Sequence, residues 1–359
     1  MSDALRSEFP VFERMSYLNT GSVGPTPRTA GEAAIEEVRA QAGGDRVGVA
    51  QFKRQLELGA ALRARAAELL GASPDEVALT GATTDGVNAV IGGLELGPGD
   101  EVLTTDEEHP GLLAPLAAAR ERRGISVRTV PFAEIAGEAG PSTRLIACSH
   151  VSWHTGRVAD VAALTAAGPP VLLDGAQGLG AVALDVRALG CDFYAASGQK
   201  WLCGPNGLGY LYVRGELTSQ LPAPWPGYMS LAASDRPLDF ELHDDARRFD
   251  TGLPASQHTA WALAALDTLE RPGIERVQAY AADLAERLAE QLAASGALVA
   301  PRGNSTLVSW EDADPPGTVE RLRDDGIVVR NLPGTSYVRA SVGGWSGEQD
   351  IERLLAAIR

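Results

Sequence analysis

The sequence predicts an α/β protein, with a large domain on a mostly parallel sheet flanked by helices and a smaller C-terminal α+β domain. Three observations lead there. From Val171 to Val213 the chain reads VLLDGAQGLGAVALDVRALGCDFYAASGQKWLCGPNGLGYLYV, which is strand, loop, short helix, strand, loop, strand. Its apolar runs, Val171 to Leu173 and Phe193 to Ala196, are short, uncharged and bounded by turn residues, as strands buried on both faces are. Upstream, similar runs alternate with stretches of helical period, the order expected of a parallel sheet. After Val213 the chain changes character, and 359 residues leave room for a second, smaller core.

Composition narrows the function classes. Hydrophobic residues make up 45%, which suits a packed globular chain. A formal charge of −16 repels phosphate backbones and anionic lipid, so neither nucleic acid nor membrane is expected as a partner. The opening MSDALRSEFPVFERM carries charges and no long apolar core, unlike a signal peptide. No apolar run is long enough to span a bilayer. Cys148, Cys191 and Cys203 have no metal-ligand spacing and read as reduced thiols of a cytoplasmic protein.

Taken in order, Tyr17 to Pro27 is dense in Gly, Pro, Ser and Thr and is a loop. Thr29 to Ala42 and Gln51 to Leu70 have helical periodicity and form scaffold helices. Val77 to Thr80 is a strand. It enters Gly81-Ala82-Thr83-Thr84-Asp85-Gly86 and then an apolar helix from about Val87. Such a strand–loop–helix junction offers free N–H groups and a positive helix end to an anion, although any capped tight turn looks the same. Glu101 to Thr105 is a strand, DEEHPG a loop, and Leu112 to Arg122 a helix. His109, in that loop, reads by itself as a solvated residue. Ile125 to Pro131 and Thr143 to Cys148 are further strands, the second running into SHVSWHTGRVADV.

Leu217 to His243, rich in Pro, Trp and acids, lacks periodicity and reads as a long loop walling a pocket or a subunit contact. Gln257 to Glu270 and the stretch ending at Ala294 are helices split by Pro272-Gly273. Beyond them come strands near Leu298 and Leu307, a helix near Val319, and strands over Ile327 to Arg330 and Tyr337 to Val342. Ser346 is expected to start the last helix with a capping box to Gln349. Within the last strand Tyr337, Arg339 and Ser341 share one face, and Val338, Ala340 and Val342 the other. An arginine on a strand face needs a partner, which is either a salt bridge between domains or a ligand.

Ligands of open α/β sheets sit at the carboxyl ends of strands, where Asp174 and Lys200 both fall. Lys200 is one of only two lysines, the other being Lys53; the remaining cations are arginines. Lysine, unlike arginine, can lose its proton when desolvated, and a free amine is what a Schiff base requires.

The run D-G-A-Q…S-G-x-K-x-x-x-G-P-x-G-x-G-x-L-Y-V resembles the pyridoxal 5'-phosphate (PLP) enzymes of aminotransferase class V. That group includes cysteine desulfurases, cystine C–S lyases and isopenicillin N epimerase-like proteins. The resemblance covers nearly the whole chain and implies a fold-type I PLP-dependent transferase. It divides the chain into an N-terminal arm at 1–20, a large PLP-binding domain at 21–250 and a small domain at 251–359 that takes in part of the arm.

It also assigns roles. Lys200 carries PLP as a Schiff base and acts as base at Cα. Asp174 keeps the pyridine nitrogen protonated, and Gln177 bonds the ring oxygen. Thr83, with Thr84, Ser197 and Gln199, holds the phosphate. His109 stacks on the ring and can relay a proton. Arg339, in V-R-A-S, clamps the substrate carboxylate, with Arg330 as a second cation. Asn19 to Ser22 are either substrate contacts or a plain connector into the domain. His154, in a W-H-T-G run close to the W-N-T-G of cystine lyases, is either a polar group of the pocket or a turn residue.

The chain also departs from the family pattern. Ala82 replaces a Thr or Gly of the phosphate loop. Leu253 stands where desulfurases place a threonine on the neighbouring subunit's phosphate, with Thr251 as a partial substitute. No cysteine lies beyond Cys203, so a desulfurase's mobile persulfide thiol is missing from Arg330 to Ser336. Hence the expected activity is β-elimination by a C–S lyase on a cysteine-like amino acid. Aminotransferase, epimerase and a non-catalytic scaffold follow in that order. The family further implies a homodimer.

Overall fold

A computed structural model describes residues 3–358. The first two positions of the expected N-terminal arm, and Arg359 at the end of the expected small domain, lie outside them. Ser16–Tyr17 makes a two-residue strand, β1. Seven strands then build the large sheet: β2 (Val77–Thr80), β3 (Glu101–Thr105), β4 (Ser126–Val130), β5 (Thr143–Ser149), β6 (Val171–Asp174), β7 (Phe193–Ser197) and β8 (Gly209–Val213). Their spatial order is β2-β8-β7-β6-β5-β3-β4. β3 to β7 are all parallel, while β8 runs antiparallel to β7 and to β2. The chain steps outward from β3 to β4, then returns to place β5 on the other side of β3. The loops leaving β3 and β5 therefore diverge and open a crevice at the strands' carboxyl edge.

Burial on both faces explains the continuous apolar runs. Leu173, Tyr194 and Ala196 feed one core together with Leu62, Ala66 and Leu70 of the helix Gly48–Leu70. Leu172, Phe193 and Ala195 feed the opposite core, with Val87 and Val90 of the helix Thr83–Gly93 and Leu112 and Leu116 of the helix Pro110–Arg123. Successive residues of each strand thus serve opposite layers.

The C-terminal part holds β9 (Leu307–Glu311), β10 (Ile327–Val328), β11 (Arg330–Asn331) and β12 (Tyr337–Ser341). β12 lies between β11 and β9, antiparallel to both, and β1 pairs with β10 in parallel. Val338, Ala340 and Val342 pack with Leu284, Leu288 and Leu292 of the helix Ile274–Ala294 and with Leu18 of the N-terminal segment. The alternate face of β12 carries Arg339 and Ser341, both fully buried.

Four local expectations differ. The helix expected from Val87 starts at Thr83, because Ala82 is extended and ends the preceding loop. The expected strand over Ile327 to Arg330 breaks at Val329 and serves two sheets. Near Leu298 there is only an isolated bridge between Val299 and Trp310. The last helix is Glu348–Ala357, capped by Asp350 accepting the Gly347 N–H at 2.8 Å, not by Ser346 with Gln349. The Ser346 hydroxyl is buried without a partner among the described residues.

Candidate active site

A cavity of about 260 Å³ opens at the carboxyl edge of the large sheet. Its wall is shared by the Gly21-Ser22 loop, Thr83 and Thr84, His109, Trp153, Asp174 with Gln177, Ser197, Gln199, Lys200, and Arg330. Of the sequence candidates, Thr83, Thr84, His109, Asp174, Gln177, Ser197, Gln199, Lys200 and Arg330 therefore meet there. Asn19 and His154 are not among its lining residues, and Arg339 lies directly behind Gly21, with Nη2 3.0 Å from where a Cβ on that glycine would stand.

β6 ends on Asp174, which is 5% exposed, and its Oδ1 accepts the Ala176 N–H at 2.9 Å. Burial raises its pKa, against the pull of Lys200 and of that hydrogen bond. Lys200 follows β7 on the loop that reverses into β8. Its amine is enclosed by protein yet keeps one side open to the cavity. Burial pushes its pKa down to about 8; Asp174 opposes this, and Arg339 and Arg330 reinforce it. The N-terminal loop lies directly on this turn: Gly24 donates its N–H to the Gln199 carbonyl at 2.7 Å. A Cβ at Gly24 would collide with the Lys200 carbonyl, which is why the loop carries glycine there.

Three polar atoms of residues lining the cavity lack partners among the described residues: Thr83 Oγ1, Ser197 Oγ and Gln199 Oε1. The N-terminus of the helix Thr83–Gly93 opens into the same cavity. Unpaired hydroxyl donors and a helix N-terminus in one cavity suit an anion such as a phosphate, toward which Gln199 would turn its Nε2 hydrogens and not its Oε1. Thr84 differs, because its hydroxyl is used on the Gly111 carbonyl at 3.1 Å. Gln177 Oε1 accepts from the Trp201 indole at 2.9 Å and its Nε2 donates to the Gly21 carbonyl at 2.8 Å, leaving one amide hydrogen for a ligand. A buried carboxylate, an enclosed amine of lowered pKa and an anion cup in one cavity fit a phosphorylated pyridine aldehyde.

His109 caps the helix Pro110–Arg123, and its Nδ1 accepts the Gly111 N–H at 2.9 Å. Its ring meets Trp153 edge-on at 4.8 Å. Burial, then Lys200 and the two arginines, push its pKa down to about 4. It is a neutral imidazole with the proton on Nε2, better suited to pressing on a flat ligand than to shuttling protons.

Arg339 is fully buried. Its Nη1 donates to the Trp153 carbonyl at 2.7 Å, while Nε and Nη2 have no partner among the described residues. Burial and then Arg330 push its pKa down to about 9. Arg330 stands opposite it across β11 and β12, and its Nη1 donates to the Ser22 hydroxyl at 3.1 Å. Neither arginine has a carboxylate partner among the described residues. Two uncompensated cations side by side call for anionic ligand groups.

Asn19 turns back on its own loop and accepts from the Ser22 hydroxyl at 2.7 Å. The His154 ring packs on Trp153 at 4.5 Å, outside the cavity.

Glu108, absent from the sequence candidates, is 4% exposed. It accepts from the Ser149 N–H at 2.9 Å, the Ser149 hydroxyl at 2.6 Å and the Thr105 hydroxyl at 2.5 Å. Burial raises its pKa to about 7, with the Asp174 charge adding to the effect. The D-E-E-H run held the signal, but two adjacent acids do not reveal which one points inward. His150, also missed, has Nδ1 within 3.0 Å of the Tyr194 hydroxyl, and its N–H donates to the Asp174 carbonyl.

The model of the family described as aminotransferase class-V matches residues 17–354. A cysteine desulfurase of Klebsiella pneumoniae (strain 342) is 32% identical, over 99% of this chain and 97% of that one. A cysteine desulfurase of Serratia proteamaculans (strain 568) is 31% identical with the same coverage. Among solved structures, the cystine C–S lyase C-DES in complex with its reaction product cysteine persulfide is similar, with a TM-score of 0.91 and 30% identity over 97% of this chain and 98% of that one. A lysine-to-alanine mutant of C-DES with glycine covalently linked to its PLP cofactor gives 0.93 and 29%, over 98% of each chain.

Proposed function

The chain belongs to the aminotransferase class-V family and is a PLP-dependent enzyme of the cysteine desulfurase and C–S lyase kind; from that premise we propose that it splits cystine-like amino acids by β-elimination. The observation that carries this reading is the state of its thiols. Cys148, Cys191 and Cys203 are all fully buried, and burial raises the pKa of each. A thiol that takes sulfur from a substrate must be exposed and ionisable. A substrate whose sulfur leaves by itself needs no such group.

When bound, PLP supplies the electron sink that weakens the bond from Cα to hydrogen. The chain's own residues do the rest. Thr83, Ser197, Gln199 and the adjacent helix N-terminus hold the phosphate, and the Asp174 carboxylate keeps a proton on the ring nitrogen. Gln177 offers its remaining amide hydrogen to the ring oxygen, and His109 holds the ring plane. Lys200 Nζ takes the Cα proton. Arg339 Nε and Nη2 receive the α-carboxylate as a two-pronged pair. Arg330 suits a second anionic group, such as the distal carboxylate of cystine. With that substrate the sum is cystine plus water to cysteine persulfide, pyruvate and ammonia.

The test is product analysis with cystine and no keto acid. We expect pyruvate and ammonia in equal amounts over many turnovers. Conversion of the cofactor to pyridoxamine, with turnover only when a keto acid is added, would make the protein an aminotransferase instead.

We also read the enzyme as a cytoplasmic homodimer. Trp225, Tyr228 and Phe240 are more than half exposed, and Trp225 and Thr251 border a cavity of about 540 Å³ next to Gly81 of the anion cup. The free thiols fit a reducing compartment. Sedimentation velocity on a soluble cell fraction addresses both points; a monomer, or protein found only outside the cytoplasm, would count against them.

A further inference from the structure

The turn that follows β5, Ser152 to Arg157, is where the two sheets meet beside the cavity. The small domain bonds three of its carbonyls. Arg339 Nη1 donates to Trp153, the Ser309 hydroxyl to His154, and both the Ser305 hydroxyl and the Gly303 N–H to Gly156, at 2.7 and 3.1 Å. Gly156 has φ +81°, and a Cβ there would lie 2.8 Å from the Ser305 hydroxyl. The turn and the small domain therefore fit without slack.

On the large-domain side the turn is fastened by Glu107. Glu107 Oε2 accepts from the Thr155 hydroxyl at 2.6 Å and from the Ser152 hydroxyl, and Oε1 lies 3.6 Å from Arg157 Nη1. Its side chain is only 14% exposed. It stands two residues before His109, in the loop from β3, and has no part in the chemistry outlined above. The carbonyl it holds in place, that of Trp153, accepts the one hydrogen bond that orients Arg339.

We propose that Glu107 is a positioning residue for substrate recognition: by fixing the Ser152–Arg157 turn it aims the Arg339 guanidinium at the amino-acid carboxylate. This rests on Arg339 being the carboxylate-binding residue. The physical warrant is that a small displacement of an orienting group is amplified at the ligand it orients.

The experiment uses the PLP-loaded enzyme and glycine, which has the carboxylate and amine but no side chain. Glu107→Leu removes both acceptors at similar size; Glu107→Gln keeps an oxygen for both hydroxyls and loses only the charge facing Arg157. We expect Glu107→Leu to raise the glycine dissociation constant and the cystine KM about tenfold, with kcat and PLP affinity changed less than about threefold. Glu107→Gln restores most of the loss. In an Arg339→Ala background Glu107→Leu adds nothing, because both changes remove the same interaction. Should Glu107→Leu fail to fold, Thr155→Val removes one of the same bonds from the other side and gives a smaller rise. Additive effects in the Arg339→Ala background, or an equal loss of kcat and substrate affinity, overturn the proposal. Unchanged glycine binding in Arg339→Ala alone would instead refute the carboxylate reading on which it rests.

Discussion

Lys200→Ala abolishes turnover of cystine, lowering kcat by about 10⁴-fold or more, the upper range for a positioned proton-transfer group. Arginine at the same position does no better, because a guanidinium stays protonated. The structure explains why this amine works at neutral pH. Burial sets its pKa at about 8. About a tenth of the amine is then unprotonated at pH 7, against roughly one part in 3,000 for an ordinary lysine. Capture of PLP by the apoenzyme is therefore expected to rise about tenfold from pH 7 to 9 and then level off. An exposed lysine would still be gaining above pH 10. Stopped-flow absorbance across that range, with steady-state assays of both variants, checks these points. Substantial turnover in Lys200→Ala would remove Lys200 from the mechanism.

Arg339→Ala has the second-largest effect, and it falls on substrate affinity. Two charge-assisted hydrogen bonds are lost, each worth about 1.5 to 3 kcal/mol, so KM rises on the order of 10²-fold or more while PLP still binds. Arg339→Lys recovers little, since an ammonium cannot present two parallel N–H groups. Thermal stability of the unliganded enzyme should move the opposite way. Burial lowers the Arg339 pKa from its ordinary value to about 9, so below that pH the folded state bears the cost of a charged, unpaired group. Arg339→Met removes that cost and is expected to raise the melting temperature. Calorimetry and KM measurements on the same preparations separate the two effects. A drop in both Tm and PLP affinity would show that Arg339 serves the scaffold instead.

Much of this was readable from residue pattern. Strands buried on both faces leave apolar runs with sharp ends, so β6 and β7 and the residues leaving them, Asp174 and Lys200, stood out. In β12 the alternation of Val338 and Ala340 with Arg339 and Ser341 separated the core face from the polar one. What escaped were features settled by tertiary contact. Glu107 and Glu108 are neighbours of the same type, yet one faces a turn of the chain and the other the interior beside Asp174. Asn19 was a candidate ligand by position, and its Oδ1 accepts from the Ser22 hydroxyl, three residues away, a pairing its sequence position does not reveal. Leu217 to His243 lacks periodicity because its short helical turns, such as Tyr228–Ser230 and Pro237–Asp239, are set by surroundings and not by a repeating face. The last helix took its cap from Asp350 because Gly347, not Ser346, occupies the extended position before its first turn.

The pairing of β1 with β10 has a consequence for biosynthesis. Ser16 and Tyr17 lie beside Ile327 and Val328, and Ser341 donates its N–H to the Leu18 carbonyl at 2.7 Å. Residues that leave the ribosome first thus wait for some of the last, across roughly three hundred positions, and at about 5–20 residues per second that delay is tens of seconds. Gly21 and Ser22, which wall the cavity, come three and four residues after Leu18. A nascent chain can therefore complete its catalytic chamber only once β10 and β12 have been made, and a product truncated before them keeps that chamber unsealed.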